Sequence, residues 1–151
     1  MKKGSYFFLL LIMTSMLSCS TQKNTWLSRH FHQMQTKYNI QYNGRKAYND
    51  GLEAINEAHE DDFSTILPLY PISDHEAAKA ATSHMDRAIE KCRKSIKLHS
   101  IKVRPKKINP DKRRRDPKYK AWLQQEEFNE ELSKAWLLLA QSEFHKGDFL
   151  G

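Results

Sequence analysis

The sequence has little of what disulfide-built and catalytic proteins rely on. Two cysteines, Cys19 and Cys92, cannot supply a disulfide framework. Five glycines and five prolines in 151 residues leave too few tight turns for a β-sandwich. No CxxC, HExxH, GxSxG or phosphate-loop pattern occurs. The histidines lack metal-ligand spacing: His30 and His32 diverge on a helix, and His59, His75, His84, His99 and His145 have no i, i+4 partner. Asp61-Asp62 lack the glycine-containing loop of a hard-cation site and read as capping or solvated carboxylates. The expectation is a protein that is not an enzyme, with no cofactor, no metal and no small-molecule substrate.

There is also no apolar run long enough to cross a bilayer as a helix, which takes roughly 20 residues. The longest, Tyr6 to about Leu17, follows a basic start and has the length of a secretory h-region. It ends in Met16-Leu17-Ser18-Cys19, which resembles a bacterial lipobox. There a small residue precedes a cysteine whose thiol takes a diacylglyceryl group and which cleavage makes the new N-terminus. Residues 1–18 are therefore expected to be a lipoprotein signal peptide, Cys19 the lipidation site, and 19–24 a lipidated tether. Ser20 follows the cysteine, with no Asp to retain the protein in the inner membrane and no acidic cluster to send it to the cell surface. The expected location is the outer membrane, lipid-anchored and facing the periplasm. Cys92 lies on the apolar face of a predicted helix and reads as a buried small hydrophobe.

Net charge is +7, and one segment carries it. Ten Lys and Arg between Lys102 and Lys120 face only Asp111 and Asp116, a local excess of +8. Pro105 and Pro110 make residues 100–117 a basic linker instead of a continuous helix. Export argues against a nucleic-acid partner. The segment reads as a solvated loop, or as a contact for anionic lipid headgroups or an acidic partner.

Apolar spacing predicts helices nearly throughout, in an N-terminal helical region over 25–99 and a further helical part over 118–151. Leu27, Phe31, Met34 and Tyr38 lie on one face of a first helix, and Asn43-Gly44 then signals a turn. A second helix, about Arg45 to His59 with Tyr48, Leu52 and Ile55 inward, would close an antiparallel hairpin on it. Pro68 and Pro71 make Glu60–Pro71 an apolar strap expected to pack over that hairpin. Ser73-x-x-Glu76 reads as a capping box opening the best helix, with Ala78, Ala81, Met85, Ala88, Ile89, Cys92 and Ile96 on one stripe. A further helix is expected from about Pro117, which favours a first turn.

In the last stretch, KAWLLLAQSEFHKGDFLG, Trp136, Leu139, Ala140 and Phe144 recur at helical spacing, and Gly147 follows where a helix closes. Bulky, bulky, small, bulky, then Gly-Asp-aromatic resembles the first half of a tetratricopeptide repeat. Such repeats span about 34 residues and bury their cores by stacking on neighbours. The expected fold class is all-α: antiparallel helical hairpins forming the N-terminal portion of a tetratricopeptide-like array. The Trp136 stripe would then await a second helix beyond Gly151.

KYNIQYNGRKAYNDG, DDFSTILPLYP, MDRAIEKCRKSIKLHSI and EEFNEELSKAWLLLAQSEFHKGDFLG, in that order, resemble the N-terminal region of the SprE/PorW-like tetratricopeptide-repeat lipoproteins of the type IX secretion and gliding-motility system. One departure is Asn129-Glu130-Glu131, where the family tends to have Asn-Pro-Phe. The resemblance implies a periplasmic scaffold whose protein partners are the secretion translocon and the ring and motor components. It carries over no catalytic residue. The alternative expectation is a tetratricopeptide-type glycan-binding lipoprotein for nutrient uptake, which calls for exposed aromatic platforms on long loops.

Overall fold

One helix, Thr82–His99, touches most of the others and sets the architecture. The structure, a computed structural model, describes residues 23–64, 66–67, 69–71, 74–106 and 108–146. Helices take up 73% of these and no strand forms among them, so the all-α class is observed. In chain order they are α1 (Trp26–Lys37), a π-helical turn (Tyr38–Gly44), α2 (Arg45–Ala58), α3 (His75–Ala80), α4 (Thr82–His99), α5 (Pro110–Arg115), α6 (Pro117–Gln124) and α7 (Leu132–Lys146). The expected signal peptide, Cys19 and Gly147 lie outside the described residues.

The predicted stripe holds from Ala81 through α4, but before it Ala77 is buried in place of Ala78. Ala81, Met85, Ala88, Ile89 and Cys92 are buried, joined by Ser95, while Ile96 packs at the margin. One side of α4 meets Ile40, Leu132, Ala135, Leu138 and Leu139; at its start Met85 meets Ile55, Ala77 and Ala81. Tyr48 packs against both clusters and joins them. Helix α7 runs back along α4, with Arg93 donating to Glu143 and Lys146 to Asp86, each at 2.8 Å. Asp74 is the N-cap, accepting from the Glu76 N–H at 3.0 Å, and Ser73 of the expected capping box lies outside the described residues. The helix also breaks at Ala81, so α3 and α4 are separate segments.

Three expectations are corrected. The first two helices do not form a hairpin, because Asn43-Gly44 is not a turn. Gly44 is helical (φ −70°, ψ −49°), and the chain runs from α1 through the π turn into α2. Glycine serves packing here: a Cβ at position 44 would stand 3.2 Å from Leu138 Cδ2. The apolar strap is not packed down, for Phe63, Ile66, Leu69 and Tyr70 are exposed. Helix α3 takes its place over α2, with Ala77 and Ala81 filling the space above Ile55. The third correction concerns α1, whose Leu27, Phe31, Met34 and Tyr38 face solvent while His32 and Thr36 are buried.

Candidate functional site

The buried side of α1 is polar because of what it meets. An α-helix ends with carbonyls that lack intrahelical partners. At the end of α4, the Asn129 side-chain amide donates to His99 O at 2.9 Å and to Thr36 Oγ1 at 2.9 Å. Asn129 Oδ1 accepts from the Glu131 N–H at 3.2 Å, just before α7. Glu127 accepts from Ser100 Oγ at 2.5 Å and from the Ile101 and Asn129 N–H groups, each at 2.8 Å. One asparagine thus ties α1, α4 and the approach to α7 together. Nothing in its local spacing marks it as central.

His32 and His99 meet in the same seam, Nδ1 to Nδ1, at 2.9 Å. Burial, helped by the neighbouring His32, holds the His99 imidazole below its usual range. Cys92 is buried in the α4–α7 core; burial, with a smaller push from Glu143, raises its thiol to about 12. A thiol held so far from ionisation is no nucleophile at neutral pH. Asp61 pairs with His59 Nε2 at 3.2 Å, and Asp62 accepts from the Ser64 N–H and hydroxyl at 2.9 and 2.6 Å. Among the described residues no group of three His, Cys, Asp or Glu side chains is placed to hold a metal ion, and no helix is long and apolar enough to cross a membrane.

The repeat-packing residues divide. Leu139 is buried against α4, together with Leu132, Ala135 and Leu138. Trp136, Ala140 and Phe144 lie on the opposite, exposed side with Leu137; Trp136 is 57% and Phe144 52% exposed. Helix α7 is therefore apolar on two sides. Trp136 also lines an open groove of about 980 Å³ with Ile96, Lys102 and Glu126. On α1, the exposed Leu27, Phe31, Met34 and Tyr38 continue into Tyr42, which stacks on Tyr38 at 5.7 Å.

The linker is less solvated than its composition predicts. Pro105 and Ile101 are buried, and Asn109 caps the short helix α5 by accepting from the Lys112 N–H at 3.0 Å. Asp116 likewise caps α6, accepting from the Lys118 and Tyr119 N–H groups at 2.9 and 3.1 Å. Lys112 sits over Tyr119 and Arg29 over Trp122, each 5.1 Å from the ring centre, with Tyr119 and Trp122 stacked. Asn24 completes the link: its amide donates to Val103 O at 2.8 Å and its Oδ1 accepts from Arg29 at 2.6 Å.

No protein-family model, curated protein or solved structure matches this chain.

Proposed function

We propose that this protein is a non-enzymatic scaffold, lipid-anchored in the outer membrane and facing the periplasm, that binds protein partners in type IX secretion and gliding motility. One observation carries the reading. Helix α7 buries Leu132, Ala135, Leu138 and Leu139 on α4 while presenting Trp136, Leu137, Ala140 and Phe144 outward. A helix that is apolar on both sides belongs inside an assembly, and tetratricopeptide-like helices are covered in this way by their neighbours. The order of the four segments that resemble the SprE/PorW-like lipoproteins is what supports this choice of assembly. The translocon and the ring and motor components would be the partners.

The test is genetic and functional. Deleting the gene in its own organism should abolish secretion of type IX substrates and gliding, and the intact gene should restore both. Restoration by a variant carrying Trp136→Glu and Phe144→Glu should fail although the protein accumulates normally. Unimpaired secretion and gliding in the deletion strain would sink the reading.

A further inference from the structure

The basic segment is the strongest feature that a protein scaffold leaves unused. Lys102, Arg104, Lys106, Arg113, Arg114 and Lys120 are all exposed. Among the described residues none of the six forms an ion pair, although Lys and Arg elsewhere on the surface pair with Asp50, Glu76, Asp86, Glu131 and Glu143. Unpaired cations concentrated in one segment create a field that favours an anionic partner. They are also held in place: the Tyr119–Trp122 stack, Arg29 and the Asn24 bond to Val103 fix the segment against the start of α1.

That attachment decides which anionic partner fits. Lys23, Trp26, Arg104 and Lys106 line one cavity of about 540 Å³, so the start of the described chain and the basic segment share one end of the molecule. Lys23 lies four steps along the chain from Cys19, and four steps reach at most about 14 Å. With Cys19 acylated, this end of the fold is confined close to the headgroups. Trp26 and Leu27, 67% and 72% exposed, stand on the same end, and an aromatic beside cations suits a membrane interface. An acidic protein would need no such placement.

We propose that the Lys102–Lys120 face, with Lys23 and Trp26, is a membrane-contacting surface that rests on the anionic lipid headgroups of the bilayer holding the anchor. For its geometry this rests on the lipid-anchor reading above. Each Lys or Arg near an anionic bilayer adds attraction that salt screens. Such a surface fixes the orientation of the scaffold, so that the outward side of α7 is presented in one direction.

The experiment uses the full chain, acylated in cells and reconstituted into vesicles of phosphatidylcholine alone or with phosphatidylglycerol added. Amide hydrogen exchange is followed over 102–120, and acyl label at Cys19 is scored on the same preparation. On anionic vesicles this segment should exchange severalfold more slowly than on neutral ones, and added salt should remove the difference. A variant with Arg104→Gln, Lys106→Gln, Arg113→Gln and Arg114→Gln should lose the protection while its circular dichroism is unchanged. Equal exchange on both vesicle types overturns the proposal, as does protection by soluble polyglutamate where anionic vesicles give none. Label without protection ends this proposal and leaves the anchor standing. Charge-selective protection of an unlabelled chain added to the vesicles does the reverse.

Discussion

His32 and His99, 67 residues apart in sequence, share a bond of 2.9 Å between their Nδ1 atoms. One ring must donate and the other accept, so the pair cannot hold a proton on both Nδ1 atoms and keep the bond. Burial already holds His99 below its usual range. In the unfolded chain His99 takes up its proton near the ordinary value of about 6.5. The unfolded state therefore binds more protons below that pH, and stability falls on acidification. The contribution is fully present above about pH 6.5 and is lost as the pH drops through the lower folded-state value. Urea midpoints at about pH 7.5 and pH 5 should show the loss in the wild type, and His99→Gln should flatten it. Identical pH dependence in both proteins would contradict the assignment.

Asn129 makes its bonds where water does not reach, being 1% exposed. Asn129→Ala leaves Thr36 Oγ1 and His99 O without that donor, and a buried group left unsatisfied costs about 1–3 kcal/mol. Asn129→Asp should do at least as much harm at neutral pH, since it sets a carboxylate against a carbonyl. Ser95 supplies the contrast: its buried hydroxyl has no partner, so Ser95→Ala should be neutral or stabilise by up to about 1 kcal/mol. Chemical denaturation ranks the three variants, and an Asn129→Ala as stable as Ser95→Ala would refute the role given to the amide.

Gly51 sits where α2 crosses α4. A methyl group there would stand 2.7 Å from Met85 Cε and 3.1 Å from His84 Cβ. Alanine would gain about 1 kcal/mol of helix propensity over glycine. Met85 is fully buried, however, so its end must shift within a packed core, and His84 Cβ crowds the same position. Overpacking of this kind costs about 1–3 kcal/mol, so Gly51→Ala should come out net destabilising. A raised melting temperature for that variant would show that the helices part easily.

The elements that were legible in the sequence are those with local causes. The α4 stripe of Ala81, Met85, Ala88, Ile89 and Cys92 declares itself by spacing alone, and Pro117 marks the start of α6. What escaped depends on residues far along the chain. Helix α1 offers an apolar side and a polar side, and spacing favours burying the apolar one. The choice is reversed by Asn129, which reaches Thr36 across 93 residues. Gly44 likewise reads as a turn until Leu138 is seen against it. Helix α7 has two apolar sides, and only the opposing α4 surface selects Leu138 and Leu139 over Trp136 and Phe144.

That selection gives the last prediction. Leu138 is 1% exposed and sits among Ile40, Ile89 and Cys92, so Leu138→Ala should cost about 2–5 kcal/mol through lost burial and the cavity it leaves. Trp136 is a far larger side chain, yet at 57% exposure it contributes little to the fold as it stands. Trp136→Ala should stay near the surface norm of about 0.5 kcal/mol in either direction. The order inverts what size and hydrophobicity alone predict, because burial and not residue type sets the cost. If the outward side of α7 binds a partner as proposed, Trp136→Ala should impair secretion and gliding more than a folding defect of that size explains. If Trp136→Ala unfolds the protein as readily as Leu138→Ala, the ring belongs to the core. The outward side of α7 would then be no interaction surface.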